Sequence, residues 1–229
     1  RSETDIKTRS LWRWNKGFRG EDSLTEDNRD GEASDYPQRC SKPLEIIGAV
    51  FMRLAGWKVE GEIPRRNKVI IIAAPHTTNW DFVFLLGAAF HLGLSVKWLG
   101  KASLFAFPFG WIMRALGGIS VDRSKPNGMV EQVADTISTT DKISLVIPPS
   151  GTRNKTEYWK SGFYHIAKTA KISIVCGYLD YEKKKAGLGP NFFVSESTSG
   201  DMDKIRAFYK NKVGKFPALT SRIRLKEEQ

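Results

Sequence analysis

The sequence predicts an α/β fold with a largely parallel sheet, and two observations support this prediction. Between residues 59 and 179, short apolar runs alternate with stretches of helical periodicity, which is the pattern of parallel sheets. The composition is that of a globular protein, at 41% hydrophobic and 27% charged residues. At 229 residues the chain is long enough for one substantial α/β domain and could hold two small ones.

Seven short apolar runs predict the strands. The clearest covers residues 69–74, and Pro75 ends it because proline cannot donate a hydrogen bond within a sheet. Residues 183–185 and 187–190 predict a basic hairpin or loop, followed by an edge strand at 191–194. The other predicted strands cover residues 59–63, 95–100, 119–121, 143–147 and 172–179.

Apolar residues at helical spacing predict five helices. Thr78 or Asn79 is a suitable N-cap for the second helix, and Asp81 would then lie in its first turn. Pro126 favours the start of the third helix because proline fits a first helical turn. The predicted ranges are approximately 43–57, 80–91, 126–140, 159–171 and 201–210.

Composition divides the chain into three parts. Residues 1–40 have a basic, tryptophan-containing start and then an acidic run, and they predict an extended or disordered arm. The tryptophan and arginine residues of the arm could pack on the domain or touch a membrane interface. Residues 41–215 hold the predicted strands and form the α/β domain, and residues 216–229 predict a basic, weakly structured tail.

The formal net charge of +11 indicates an anionic partner, such as a phospholipid surface, a nucleic acid or a phosphorylated small molecule. No recognised nucleic-acid motif is present, so we expect no nucleic-acid partner. The two cysteines, Cys40 and Cys176, predict no disulfide framework and a reducing compartment. The best candidate for a membrane span, residues 82–96, is shorter than the roughly 20 residues that a span needs.

Polar residues follow three of the predicted strands. His76 comes after residues 69–74, Arg123 after residues 119–121, and the Ser150–Arg153 loop after residues 143–147. In an open α/β sheet, ligands bind beyond the carboxyl ends of the strands. We therefore expect these three segments to converge on one cleft.

His76 and Asp81 form an H-x4-D pattern that fits a general base and the carboxylate that orients it. On a continuous helix this spacing would place the residues roughly 140° apart, so His76 must lie on a turn and Asp81 in the first helical turn. No serine or cysteine is evidently paired with them, so the nucleophile would be the substrate's own alcohol. The alternative is a histidine that caps its local turn, since short motifs often match by accident.

Arg123 and Arg153 are candidates for binding an anion, because a guanidinium group matches two phosphate oxygens at once. Gly151 permits close approach of a ligand to the backbone. The alternative is that both arginines are ordinary surface residues. The glycine loop lacks the nucleotide P-loop pattern. Further candidates for the same anion site are the Thr152 hydroxyl and the side chains of Lys101 and Lys160.

The aromatic stretch at residues 104–113 could line an acyl pocket, touch a bilayer interface or belong to the ordinary core. His91 and His165 lie among apolar residues of helical patterns and predict packed or surface histidines. With three histidines, two cysteines and no ligand spacing between them, we predict no metal site.

Three ordered segments resemble motif blocks of the glycerolipid (lysophospholipid) acyltransferase superfamily. They are PHTTNWD at residues 75–81, GGISVDR at 117–123 and PSGTR at 149–153. The segment WKSGFY at residues 159–164 also resembles soluble-looking bacterial and archaeal members. The similarity covers roughly residues 45–210, and three blocks in order at plausible spacing are quite specific.

The resemblance implies transfer of an acyl group from an acyl thioester, acyl-CoA or acyl carrier protein, to a hydroxyl of a lysophospholipid or glycerol phosphate. His76 would be the general base and Asp81 its orienting partner, while Arg123 and the Gly151–Arg153 loop would bind the acceptor's phosphate. It also implies an αβα layered domain with a central mixed sheet, associated peripherally with the cytoplasmic face of an anionic membrane. The thioester is a co-substrate, so no cofactor is expected.

The chain departs from the superfamily pattern in places. The third block usually has a glutamate where this chain has Ser150, which removes a negative charge beside the predicted phosphate site. This departure motivates an alternative function, a lipid-binding protein on the same scaffold with weakened catalysis. The fourth block usually has a proline after its valine, whereas Val175 is followed by Cys176. The asparagine common before the histidine is Pro75 here.

Overall fold

A seven-stranded sheet forms the centre of the fold. The computed structural model describes residues 35–121 and 126–228. In chain order the strands are β1 (Lys58–Glu60), β2 (Lys68–Ala74), β3 (Val96–Lys101), β4 (Gly118–Val121), β5 (Ile143–Ile147), β6 (Ser173–Asp180) and β7 (Lys185–Phe192). Across the sheet they follow the order β1-β7-β6-β2-β5-β3-β4.

All neighbouring strands are parallel except β6 and β7, which are antiparallel. The sheet is therefore mixed and largely parallel, and the predicted α/β class is confirmed. Strand β2 lies in the middle, where Ile71 is opposite Val146 of β5 on one side and Val175 of β6 on the other. The carboxyl ends of β2 to β6 lie together at one edge of the sheet, which we call the carboxyl edge.

Helices cover both faces of this sheet. Successive side chains of a strand point to opposite faces. Ile71 of β2 belongs to the same buried cluster as Leu86, whereas Ile70 belongs to a second cluster with Phe163 and Ile205. The αβα layering is therefore present. The described helices are α1 (Lys42–Leu54), α2 (Trp80–His91), α3 (Gly110–Ala115), α4 (Pro126–Thr139), α5 (Gly162–Ala170) and α6 (Thr198–Tyr209).

Strand β7 differs from the predicted loop and edge strand. It begins at Lys185, pairs with β6, and has β1 on its other side. The outermost strand on this side of the sheet is therefore β1 and not β7. The glycine and proline signals suggested a turn, but glycine also allows two backbones to approach closely. A Cβ atom on Gly187 would collide with the carbonyl oxygen of Glu60. Here glycine makes room for the neighbouring strand.

The C-terminal segment was expected to be weakly structured, and it has two short 3₁₀ turns, at Pro217–Leu219 and Lys226–Glu228, but it packs on the domain. Leu225 is 1% exposed and belongs to the main buried cluster. The Trp159 backbone N–H donates a hydrogen bond of 2.8 Å to the Arg224 carbonyl. The Arg206 guanidinium pairs with Glu228 at 2.6 Å. Leu225, with Ile223 packed against the same cluster, anchors this short basic segment, which lacks a periodic apolar pattern.

The predicted N-terminal arm lies almost entirely outside the described residues. Its last part, which is described, contacts the domain: Arg39 forms an isolated antiparallel bridge with Leu94, and the Ser95 backbone N–H donates to the Gln38 carbonyl at 2.9 Å. Over the described residues, no helix is long and apolar enough to cross a membrane.

Candidate active site

His76 and Asp81 meet at the carboxyl edge of the central strand. Strand β2 ends at Ala74, and helix α2 begins at Trp80, so His76 lies on the connecting turn and Asp81 lies in the first helical turn. The distance between His76 Nδ1 and Asp81 Oδ2 is 3.1 Å. This is the arrangement that the H-x4-D spacing requires for a base and its orienting carboxylate.

Asp81 is held by three further hydrogen bonds. Its Oδ2 atom accepts from the backbone N–H groups of Thr77 and Thr78 at 2.7 and 3.0 Å. Its Oδ1 atom accepts from the Tyr181 hydroxyl at 2.7 Å. The residue is 4% exposed. The carboxylate is therefore buried but well satisfied, as a buried charge must be.

The charge state of this carboxylate follows from two opposing effects. Burial raises the pKa of Asp81, but hydrogen bonds from His76, Tyr181 and the backbone outweigh it and lower the pKa below its ordinary value. Asp81 is therefore ionised near neutral pH and can only accept hydrogen bonds. The proton between the two side chains must lie on His76 Nδ1, which leaves Nε2 as the ring atom that can take a proton.

Tyr181 was not among the predicted site residues. It directly follows β6, so it lies at the same edge of the sheet as His76. Burial, followed by the hydrogen bond to Asp81, raises the pKa of its hydroxyl and keeps it protonated as a donor. Its ring packs edge-on against Trp57, with 4.9 Å between ring centres. Its position just beyond the strand predicted at residues 172–179 is the signal that could have identified it.

His76 opens into a small cleft of about 30 Å³. Its side chain is 24% exposed, so a substrate group can reach the ring. The cleft joins the loops after β2 and β5, and these are two of the three segments that the sequence expected to converge. Its other walls come from Trp159, which precedes helix α5, from Tyr209 at the end of α6, and from the C-terminal segment. The main polar side chains that line it are those of His76, Ser150, Lys212, Thr220 and Ser221.

Ser150 is 5% exposed and lies in this cleft. Its hydroxyl donates a hydrogen bond of 2.7 Å to the Thr152 carbonyl. Gly151 has a φ of +66°, a left-handed conformation that favours glycine, and it lies against the Lys160 side chain. The loop is therefore folded on itself, and Ser150 adds no negative charge to the cleft.

The predicted cations are less central than Ser150. Lys101, Arg153 and Lys160 are exposed, and none of them lines the cleft. Arg123 lies outside the described residues. Thr152 and Gly151 belong to the loop without lining the cleft itself. The structure therefore brings together His76, Asp81 and Ser150, but not the other predicted site residues that it describes.

Lys212 is a cation that the sequence analysis missed, and it does line the cleft. It is half-buried, and burial lowers its pKa, although the nearby Asp180 acts in the opposite direction. Its ammonium nitrogen lies 3.9 Å from the centre of the Tyr178 ring, a cation–π contact. A basic run near the C-terminus offered no signal that this lysine would reach the site.

The described residues contain no group of three or more His, Cys, Asp or Glu side chains that could hold a metal ion. The site as described contains one imidazole, one ionised carboxylate, hydroxyl groups and a lysine. Such a set can move a proton and bind an anion.

Comparison with known proteins identifies the family. A model of the acyltransferase family matches residues 56–179, just over half of the chain. The chain belongs to this acyltransferase family. The match includes the dyad and the Ser150–Arg153 loop, whereas Tyr181 and Lys212 lie beyond its end.

A curated relative agrees with this assignment. The chain is 30% identical over 139 residues to a 1-acyl-sn-glycerol-3-phosphate acyltransferase of Streptococcus pneumoniae, covering 57% of this chain and 51% of that protein. The chain thus spans about half the length of this curated relative. A crystal structure of the 1-acyl-sn-glycerophosphate acyltransferase PlsC from Thermotoga maritima is also similar. It has a TM-score of 0.49 and 16% sequence identity, over 82% of this chain and 80% of that one.

Proposed function

We propose that this acyltransferase moves a fatty acyl group from an acyl thioester to a hydroxyl of a lysophospholipid or glycerol-phosphate-type acceptor. The observation that carries the proposal is the 3.1 Å contact between His76 and Asp81 beside an open cleft. Membership of the acyltransferase family and similarity to the Streptococcus pneumoniae enzyme support it. The donor is acyl-CoA or acyl carrier protein, and no cofactor is required.

In the proposed mechanism, the acceptor's own hydroxyl is the nucleophile. His76 Nε2 takes its proton while the oxygen attacks the thioester carbonyl carbon. The resulting imidazolium is stabilised by the Asp81 carboxylate through the Nδ1 hydrogen bond. When the tetrahedral intermediate collapses, the C–S bond breaks, and the leaving thiolate receives the proton from Nε2. One ester bond has then replaced one thioester bond, and His76 is ready for another cycle.

The surroundings of Asp81 favour this chemistry. A carboxylate that already accepts hydrogen bonds from Thr77, Thr78 and Tyr181 needs little rearrangement when the imidazolium forms. General-base catalysis of this kind typically contributes about 10²- to 10⁴-fold in rate. Asp81 and Tyr181 act as positioning residues, because they act on the acceptor only through His76.

The acceptor's phosphate needs cations near the cleft. By the resemblance of the motif blocks, we assign this role to Arg123 and the Gly151–Arg153 loop, with Lys101 and Lys160 adding positive charge. Lys212 already lines the cleft and can contribute to the same field. Peripheral association with the cytoplasmic face of an anionic membrane would present such an acceptor, and the net charge of +11 suits that surface.

The experiment is an assay of acyl-thioester consumption with a panel of hydroxyl acceptors that includes lysophosphatidate. We expect release of free thiol that depends on the acceptor, together with a new ester product detected by mass spectrometry. The proposal would be contradicted if no acceptor of the panel caused thiol release with either acyl-CoA or acyl carrier protein as the donor.

Ser150 motivates a second candidate function, a lipid-binding protein with weakened catalysis. Where the superfamily pattern has a glutamate, this chain has a hydroxyl that is used within its own loop. This candidate predicts saturable binding to anionic vesicles without thioester consumption. A Ser150→Glu variant distinguishes the two, because it should raise turnover strongly only if the missing carboxylate limits the reaction.

A further inference from the structure

Exposed aromatic side chains gather at the carboxyl edge of the sheet, the edge where His76 lies. The most exposed is Phe107, at 97%, followed by Trp111 at 70% and Phe109 at 65%. In the described residues, Phe193 is the one exposed phenylalanine or tryptophan elsewhere, and it follows β7, which runs in the opposite direction. We call the residues at the carboxyl edge the aromatic rim: Trp80, Phe107, Phe109, Trp111 and Phe216.

The topology places the rim at the same edge of the sheet as the cleft, although no rim residue lines the cleft itself. The segment with Phe107 and Phe109 follows β3, which is parallel to β2 and separated from it by β5 alone. Trp80 begins helix α2 directly after the His76 turn. The Phe216 backbone N–H donates a hydrogen bond of 3.2 Å to the Thr77 hydroxyl, next to His76. The rim residues therefore lie after β3, at the start of α2 and in the C-terminal segment, all at the carboxyl edge.

The segment that carries Phe107 and Phe109 packs on the domain through Phe105. Phe105 is 6% exposed, and its ring stacks on Trp98 with 5.8 Å between ring centres. The Arg114 guanidinium lies over the same Phe105 ring at 5.6 Å. The Gly110 backbone N–H closes the turn by donating to the Ala106 carbonyl at 2.9 Å. With Phe105 buried inward, this turn directs Phe107 and Phe109 outward, so their exposure is a feature of a packed segment.

The charged side chains in the stretch that holds most of the rim are cations. No aspartate or glutamate occurs from residue 82 to residue 121, a stretch that holds three of the five rim residues. Lys101 and Arg114 are exposed in the same stretch. Lys215 is also exposed, and its ammonium nitrogen lies 5.4 Å from the centre of the Trp80 ring. Aromatic rings flanked by cations are suited to the interface of an anionic bilayer.

We propose that the aromatic rim inserts into the interface of an anionic phospholipid bilayer and so presents the His76 cleft to the lipid headgroups. This inference rests on the proposed function insofar as it supplies the lipid acceptor. A second exposed apolar surface serves as the comparison, the aliphatic face of α1: Leu44, Ile46, Ile47, Val50 and Leu54.

The test measures sedimentation of the full chain with phosphatidylcholine vesicles, with and without phosphatidylglycerol, in the absence of thioester and acceptor. The variant Phe107→Ser/Trp111→Ser removes two rim side chains, and Ile47→Ser/Leu54→Ser is the matched control on α1. We expect the rim variant to weaken binding to the anionic vesicles at least about tenfold and the control to change it less than about twofold. Circular dichroism confirms that both variants are folded.

Two results would overturn the inference. In one, the rim variant binds anionic vesicles as tightly as the parent, or the α1 control loses as much binding. In the other, light scattering reveals a parent dimer that the rim variant dissociates while vesicle binding is unchanged, which would assign the rim to a second copy of the chain. Vesicle binding without acyl transfer by the parent would refute the proposed function and leave the rim assignment standing.

Discussion

The turn after β2 and the loop after β5 leave adjacent strands of the sheet, but they hold their polar side chains very differently. In the turn, Asp81 is buried and accepts four hydrogen bonds, one of them from His76. In the loop, the buried Ser150 hydroxyl bonds within the loop itself, and Arg153 is exposed. The residues proposed to transfer the proton are therefore buried and fixed by hydrogen bonds, whereas the residues proposed to bind the phosphate are open to solvent. Changes in the turn should lower kcat, and changes in the loop should raise KM.

The largest effect is expected from Asp81→Asn, which keeps the shape of the side chain but removes its charge. The variant can no longer stabilise the His76 imidazolium, so kcat should fall about 10³-fold while KM for the acceptor stays close to that of the parent. Steady-state kinetics with the best acceptor measure both values. A kcat within threefold of the parent would contradict the role of the turn.

Tyr181→Phe should have a smaller effect in the same direction. It removes one of the hydrogen bonds to Asp81, and we expect kcat to fall about tenfold or less with little change in KM. The matched control is Tyr178→Phe in strand β6, three residues earlier, because the Tyr178 hydroxyl donates to Glu60 at 3.2 Å and not to Asp81. The comparison fails if both variants lose the same activity, since that would indicate a general effect of β6.

Arg153→Ala should show the opposite kinetic pattern. If this exposed side chain turns toward the acceptor's phosphate, its loss should raise KM about five- to tenfold and leave kcat nearly unchanged. Lys155→Ala, an exposed cation of the same loop, is the control for net charge. A fall in kcat at constant KM would place Arg153 with the proton-handling residues and remove the distinction between turn and loop.

The smallest expected effect concerns stability against pH. Burial raises the pKa of Asp81, but the hydrogen bonds outweigh it, so the folded-state pKa lies below the ordinary value of 3.8. Asp81 therefore stabilises the fold fully above pH 3.8, and this contribution is lost as the pH falls through the lowered folded-state pKa. Urea unfolding should give a free-energy difference between parent and Asp81→Asn that shrinks on acidification. If the free-energy difference grew on acidification instead, the pKa of Asp81 would not be lowered in the folded state.

The sequence predicted the dyad because every feature of that turn is local. Pro75 ends the strand, His76 follows immediately, and a helix begins before Asp81. The contact between Tyr181 and Asp81 spans 100 residues and depends on sheet register, in which Ala74 of β2 lies opposite Tyr178 of β6. Strand pairing of this kind cannot be read from hydrophobic periodicity.

The features that the sequence did not reveal share a different cause. Gly187 was interpreted as a turn signal, although it serves the close approach of β1 to β7. The C-terminal segment has few apolar residues, yet Leu225 packs in the main buried cluster and Ile223 packs against it. Lys212 reaches the cleft only because α6 ends beside it. In each case tertiary packing decided the outcome and local composition did not.

The most direct test of the central claim is the turnover of His76→Ala against that of His165→Ala. His165 is an exposed histidine whose closest charged partner is Glu227, at 3.7 Å, so its loss controls for removal of an imidazole. We predict a fall in kcat of about 10²- to 10⁴-fold for His76→Ala, with His165→Ala near the parent value. Parental turnover by a folded His76→Ala protein would contradict the assignment of His76 as the base.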